Sequence, residues 1–434
     1  MLLPFEDSLL YLDQANVGQC EQWEALLSAR YNALKNENLN LDITRGKPST
    51  GQLALADQLD GILNGDYTAA DGTDVRNYGG LDGINEARQL GAELLGVEPD
   101  NVLVGGNSSL ALMFHAVMTG HQYGFVDGDS AWNKLPAVKF LCPVPGYDRH
   151  FAVTETLGIE MVTIPMLATG PDMDAVEKAV VADPAIKGIW CVPKYSNPTG
   201  VVYSEQTVER IAKLATVAGP HFRVFWDNAY AVHDLVDKPK RLVNIAAYCQ
   251  RFGTQDSVIQ FASTSKITHA GSGISFMAAS APNLMAMKKI LGMMTIGPDK
   301  VNQLRHCKLL PDLEAVTAHM RKHAAIIRPR FEMVLKKLDE HFTKSDLGTW
   351  EKPEGGYFVS FDARPGCAKE IVRLAADAGV KLTPAGATFP YGNDPDDKNI
   401  RIAPTVPSVE ELEKAMEVFV TCVKLVAVKK KLRA

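Results

Sequence analysis

Short apolar runs closed by small or polar residues alternate along the chain with stretches whose apolar positions recur every three or four residues. Asn101 to Val104, Val138 to Cys142, Ile189 to Val192, Val224 to Trp226 and Val258 to Ala262 read as buried strands. Ile84 to Leu95 and Leu110 to Val117 read as helices. Such alternation predicts an α/β fold with a mostly parallel central sheet and helices on both faces. Beyond about Leu304 the pattern changes. A long helical region (Asp312 to Phe342) precedes an apolar stretch at Gly355 to Phe361, a helix near Ala368 to Ala378 and a segment at Arg401 to Ala403. This predicts a smaller α+β domain. A helix from Glu21 to Lys35 and a strand-like piece at Leu41 to Thr44 are expected to join it from the N-terminal end. No internal repeat or low-complexity segment interrupts the pattern.

Composition narrows the function classes. The 434 residues, 46% apolar and 22% charged, are those of an ordinary globular protein with ample core for two domains. A net charge of −6 gives no electrostatic reason to expect nucleic acid or an anionic membrane as partner. Lys429-Lys430-Lys431-Leu432-Arg433 fits the C-terminal turn of a helix, where cations are favoured. Seven cysteines, scattered and without CxxC spacing, fit reduced thiols and not a disulfide framework or a metal site. Met1 to Asn16 carries Glu6, Asp7 and Asp13 and lacks the basic start of a signal peptide, and no apolar run reaches membrane-spanning length. A cytoplasmic protein is expected.

The polar clusters lie just past strand ends, where open α/β sheets place their sites. Gly105-Gly106-Asn107-Ser108-Ser109 turns from a strand into a helix, so free backbone N–H groups and the helix dipole form an anion cup. Tyr147 follows Pro143-Val144-Pro145-Gly146, and Asn197 opens Asn197-Pro198-Thr199-Gly200. Asp227 ends a strand with Tyr230 three residues on, and Ser263-Thr264-Ser265-Lys266 ends the last. Singly, each has a plain structural reading: Asp227 as a helix cap, Tyr147 as core, Asn197 in a turn, Lys266 on the surface. Together, in this order, they suit an aldehyde cofactor that carries a phosphate and a pyridine ring. Lys266 would supply the amine that joins the aldehyde, Asp227 would pair with the ring nitrogen, Asn197 and Tyr230 would bond the phenolic oxygen, and Tyr147 would stack on the ring. Gly46-Lys47 lacks the remaining residues of a phosphate loop.

With these pieces the chain resembles the pyridoxal 5′-phosphate enzymes of fold type I, the aspartate aminotransferase superfamily. Gly46-Lys47-Pro48, Tyr78-Gly79-Gly80-Leu81-Asp82-Gly83, Asn197-Pro198-Thr199-Gly200, Asp227-x-x-Tyr230, Ser263-Thr264-Ser265-Lys266 and the late Arg401 carry the resemblance, which runs from about Thr44 to Arg401. Thr44-Arg45-Gly46-Lys47-Pro48-Ser49 and Gly106-Asn107-Ser108-Ser109-Leu110 look like a divergent bacterial subgroup of aspartate aminotransferases. The resemblance implies that Arg401, Gly46 and Asn197 hold the substrate α-carboxylate and that Asn107, Ser108, Ser109, Ser263 and Ser265 line the phosphate. It also implies that Tyr78 reaches the phosphate of the neighbouring subunit of a homodimer. Arg45, next to Gly46, is the candidate for the substrate's side-chain carboxylate, with Arg305 in reserve. No metal is implied.

Two positions depart from the family pattern. Ile274 stands eight residues after Lys266, where a phosphate-binding arginine is usual, and Asn228 stands where a glutamate often follows the aspartate. His233 and His269 lie near the site and are assigned no role. The implied reaction is transamination of aspartate with 2-oxoglutarate. Decarboxylation, β-elimination and transamination of another donor stay open, and a ligand-sensing regulator would need a DNA-binding module that the first 40 residues lack. The expected division is 1–50 as arm and joining segment, 51–310 as the large cofactor-binding domain and 311–434 as the small domain.

Overall fold

The computed structural model describes residues 11–126 and 130–433. The acidic start at Glu6 and Asp7 lies outside the described residues. In chain order the strands are β1 (Leu41–Asp42), β2 (Val102–Gly105), β3 (Lys139–Val144), β4 (Glu160–Leu167) and β5 (Gly170–Pro171). Next come β6 (Ile186–Cys191), β7 (Arg223–Asp227), β8 (Val258–Ser263) and β9 (Ser275–Ala278). The last are β10 (Gly348–Trp350), β11 (Val359–Ala363), β12 (Val380–Lys381) and β13 (Asn399–Ile402).

The main sheet has the order β2-β9-β8-β7-β6-β3-β4-β5. From β8 to β4 every neighbour is parallel, as the alternation predicts. Strands β6, β7 and β8 are buried at every position but Ser263, because helices cover both faces. Two strands depart from the predicted pattern: β5 pairs antiparallel with β4, and β9 runs antiparallel between β8 and β2. The chain therefore leaves β8, makes a loop over 264–274 and returns directly beside it. Thr264 closes that loop, its N–H donating to the Ile274 carbonyl at 2.8 Å and its hydroxyl accepting from the Ile274 N–H at 2.9 Å. Lys266 is thereby tied to the sheet from both ends.

Behind the sheet an aromatic column leads toward the strand ends. Phe140 lies 5.4 Å from Phe225, Phe225 lies 4.9 Å from Trp190, and Trp190 stacks on His150 at 4.2 Å with the rings 8° from parallel. Offset and edge contacts of this kind add to the area that the rings bury.

A second apolar core surrounds the antiparallel sheet β10-β11-β13. It takes in helix Val17–Lys35, the later part of helix Leu313–Phe342 from Ala324 onward, and helix Val409–Arg433. The first of these helices begins with a capping box between Asn16 and Gln19. The long helix is capped by Asp312, which accepts from the Ala315 N–H at 2.8 Å. Its first turns, through Val316 and Met320, pack in the core of the main sheet. The basic C-terminal run does close a helix: Lys430 donates to the Pro365 carbonyl at 2.6 Å, and Lys431 to that of Leu12. Strand β1 pairs parallel with β12, Leu41 opposite Val380, which brings the N-terminal segment alongside 380–383. No described helix is long and apolar enough to cross a membrane.

A Cβ at Gly188 would lie 2.5 Å from the Phe140 ring. Gly188→Ala should therefore overpack the column at its base and lower stability by about 1–3 kcal/mol. A urea titration of the variant against the parent checks this, and an unchanged midpoint would mean that the column yields without strain.

Candidate active site

The carboxyl ends of β6, β7 and β8 and the turn after β2 converge on a cavity of about 220 Å³. Asn107, Ser108, Ser109, Tyr147, Asn197, Asp227, Tyr230, Ser263, Ser265 and Lys266 all line it. These ten residues come from five separate strand ends or turns, and the parallel register gathers them because such strands end at one edge of the sheet. Ser265 donates its hydroxyl to the Asn107 carbonyl, which joins the loop of Lys266 to the anion cup.

Lys266 Nζ lies 5.1 Å from the centroid of the Tyr230 ring. Burial pushes its pKa below the ordinary lysine value, while the Asp227 charge opposes the shift. The result is an amine that is more readily neutral, and so more nucleophilic, than one in water. Tyr147 is held protonated: burial, then the Asp227 charge, raise its pKa to about 12. Burial likewise drives the Tyr230 phenol well above its ordinary value. Both phenols are donors across the whole neutral range.

Asp227 is buried, and its two oxygens differ. His150 Nε2 lies 3.0 Å from Oδ2, whereas Oδ1 is buried without a hydrogen-bond partner among the described residues. A buried carboxylate oxygen left open is costly, so it marks a place where a cationic donor belongs. Sequence reasoning did not find His150. Its position three residues after Tyr147, on the first turn of helix Asp148–Thr156, is a signal only once the strand carrying Asp227 is known to lie alongside.

At the cavity's edge stands Arg401, 2% exposed, in β13. Its Nη1 donates to Asn197 Oδ1 at 3.2 Å and to Asp148 Oδ1 at 3.0 Å, and its Nε donates to Thr383 Oγ1 at 3.2 Å. The guanidinium carbon lies 4.9 Å from the centroid of the Phe358 ring. Gly46 sits behind that ring: a Cβ there would fall 2.5 Å from Phe358. A side chain at 46 would thus push the ring that supports Arg401. The pairing of β1 with β12 continues into this region, where Thr383 donates to the Thr44 carbonyl at 2.6 Å. Next along the chain, Arg45 Nη1 donates to Asp148 Oδ2 at 2.6 Å. Asp148, which the sequence did not single out, therefore bridges Arg45 and Arg401. Burial works against its carboxylate, but the Arg401 and Arg45 charges outweigh that and hold its pKa below the ordinary range.

Arg401, Arg45 and Gly46 are not themselves lining residues, Arg401 meeting the cavity through Asn197, and the remaining expectations do not line it either. Tyr78 is 82% exposed on the loop before helix Asn85–Leu95. Arg305 lies on helix Lys300–Leu309 and is not among the lining residues. His269 pairs with Asp57 at 3.6 Å, and His233 packs edge-on against Tyr230 and Tyr357. Ile274 is a core residue packed with Ala262 and Phe276. Beside it Ser275 is fully buried, its hydroxyl without a partner among the described residues, opposite Ser263 on β8 and Gly105 on β2.

These features fit pyridoxal 5′-phosphate. The open Asp227 oxygen suits a protonated ring nitrogen, the Asn107–Ser109 turn suits a phosphate, and Lys266 suits an aldehyde carbon.

Comparison with known proteins agrees. The family described as aspartate amino-transferase matches residues 17–434. The aspartate aminotransferase of Corynebacterium glutamicum is 48% identical over 402 residues, 92% of this chain and 93% of that protein. The crystal structure of an aspartate transaminase from the same species superposes with a TM-score of 0.94 at 46% identity, covering 98% of this chain and 100% of that one. An α-aminoadipate aminotransferase from Thermus thermophilus, solved with N-(5′-phosphopyridoxyl)-L-leucine, shares the fold at a TM-score of 0.73 and 20% identity, over 92% of this chain and 97% of that one. With the site's geometry behind it, the match across nearly the whole chain means that this protein belongs to the aspartate aminotransferase family of fold type I enzymes and is a pyridoxal 5′-phosphate-dependent aminotransferase.

Proposed function

We propose that this aminotransferase takes its amino group from aspartate and gives it to 2-oxoglutarate. The observation that carries the reading is the pair of guanidiniums, Arg401 and Arg45, on opposite oxygens of one carboxylate at the cavity's edge. Two cations so close suit a dicarboxylate, and guanidinium geometry suits carboxylates in particular. The similarity to the Corynebacterium glutamicum aspartate aminotransferase supports it. Arg401, with Asn197 and the backbone at Gly46, takes the α-carboxylate, and Arg45 takes the side-chain carboxylate.

Bound pyridoxal phosphate supplies the electron-accepting ring. Asp227 keeps a cationic donor on its open oxygen, with His150 on the other holding the carboxylate in place. Asn197 and the protonated Tyr230 are donors for the ring's phenolic oxygen, and Tyr147 covers one face. Asn107, Ser108, Ser109, Ser263 and Ser265 hold the phosphate dianion. Charge-assisted bonds of this kind contribute roughly 1.5–3 kcal/mol each, enough in number to offset a missing arginine at Ile274. Lys266 Nζ, its pKa lowered by burial, is the base that takes the proton from the substrate's α-carbon.

The working unit is a homodimer completed by Tyr78, and its setting is the cytoplasm. Exposed Met285, Met293, Met294 and Ile296 support the dimer. They are continuous with the Tyr78 loop: a Cβ at Gly297 would lie 2.4 Å from the Gly79 carbonyl, and Lys300 Nζ donates to that same oxygen at 2.6 Å. The reduced state of all seven cysteines supports a cytoplasmic setting. Residues 11–50 together with 324–433 form the small domain around the second core, and 51–310 with the first turns of helix Leu313–Phe342 form the large one.

Four outcomes are expected. Borohydride reduction of the yellow holoenzyme should leave the cofactor's mass on the peptide that carries Lys266; a label on another lysine would refute the assignment. Arg401→Ala should lose roughly two to four decades in kcat/KM with every donor, the loss of a buried charged partner at ~1.4 kcal/mol per decade. Arg45→Ala should instead penalise aspartate and glutamate and spare alanine, and an equal loss for all donors would remove Arg45 from the specificity pocket. Finally, inactive Tyr78→Ala and Lys266→Ala subunits, once mixed, should regain part of the activity through hybrids with one intact site, and a fully active monomer in sedimentation would overturn the dimer.

A further inference from the structure

Arg45 and Arg401 do not stand free in the resting protein. Asp148 Oδ2 takes Arg45 at 2.6 Å and Oδ1 takes Arg401 at 3.0 Å. The two cations therefore share one internal anion. The bridge is asymmetric in its surroundings: the Arg401 side chain is 1% exposed, that of Asp148 16% and that of Arg45 46%. Arg401 is also fixed by Asn197 and Thr383, so the guanidinium on its side of the bridge stays where it is. For Arg45, Asp148 is the one described residue to which it donates a side-chain hydrogen bond.

We propose that Asp148 is a specificity-determining residue: an internal carboxylate with which a substrate's side-chain carboxylate must compete for Arg45, so that it moderates the preference for dicarboxylates over monocarboxylates. The inference rests on the reading above, in which the two arginines receive substrate carboxylates. The charge count explains the effect. Two cations and one anion leave a single positive charge, which a monocarboxylate neutralises without disturbing the bridge to Arg45. A dicarboxylate brings one negative charge too many while Asp148 stays in place. It must push the aspartate from Arg45, the more exposed end, or bind against like-charge repulsion. With a neutral side chain at 148 the count reverses: the dicarboxylate is matched and the monocarboxylate leaves a cation over. Between turnovers such a counter-ion also lets the pocket stand without a substrate carboxylate and without a bare arginine.

Asp148 is also the first residue of helix Asp148–Thr156, where a carboxylate favours the helix dipole. A purely structural role of that kind would alter all ligands alike, so the test compares ligands. Succinate and propionate, which carry no amino group to transfer, are titrated calorimetrically into the holoenzymes of the parent, Asp148→Asn and Arg45→Ala. Asp148→Ser is carried in parallel in case the amide variant does not fold. In Asp148→Asn succinate should bind about tenfold tighter or more and propionate no more than about threefold, a gain of the size of one charge contact in partly solvated surroundings. In steady state the same change should appear in KM for aspartate and not in kcat. A succinate-to-propionate ratio that stays constant or falls in both position-148 variants would overturn the inference. If Arg45→Ala still lowers succinate binding selectively in that event, the substrate reading stands and only the role of Asp148 fails. If Arg45→Ala weakens both ligands equally, the substrate reading fails with it.

Discussion

The site depends on a carboxylate that is buried and only half satisfied. Asp227 ends the middle of three adjacent parallel strands, with β6 on one side and β8 on the other. Every neighbouring feature follows from keeping that charge in place. His150 holds one oxygen, Trp190 holds His150 by stacking, and the aromatic column behind Trp190 fills the space that a shifting ring would need. The open oxygen is the complement of this rigidity. A carboxylate free to turn would find water or Lys266, and the cavity would have no fixed place for a cationic ring nitrogen.

Much of this was legible in the sequence, for a definable reason. Lys266, Asp227, Asn197 and the Asn107–Ser109 turn each come within a few residues of the end of an apolar run. A residue at the end of a buried parallel strand has its position set by the strand, so naming the strand names the site. The strands themselves were legible because β6, β7 and β8 are covered on both faces and read as continuous apolar text. What escaped was set by pairing at long range. His150 meets Asp227 across 77 residues, and Arg401 meets Asp148 across 253, with no local pattern to announce either bond. The antiparallel course of β9 was equally silent, since its four residues carry no directional mark and its place beside β8 is imposed by the loop that Thr264 closes.

Gly46 illustrates the difference between a motif and its cause. In the sequence it belongs to a short recurring phrase. In the fold its lack of a side chain is what lets Phe358 lie against Arg401, so one missing methyl group governs where a guanidinium stands two strands away. The same holds for Ile274, whose aliphatic side chain joins the core with Ala262 and Phe276 and does not line the cavity.

The stacked pair of Trp190 and His150 has an optical side as well. An indole emits in proportion to how little its neighbours quench it, and an imidazole in face contact quenches far more when it carries a charge. With the rings 4.2 Å apart and His150 touching Asp227 at its other edge, Trp190 stands next to the side chain that holds the central carboxylate. Of the five tryptophans, it is the one whose ring reaches the aspartate through a single intervening side chain. A native indole thus stands one side chain away from the carboxylate on which the site is built, with no dye attached and no residue replaced.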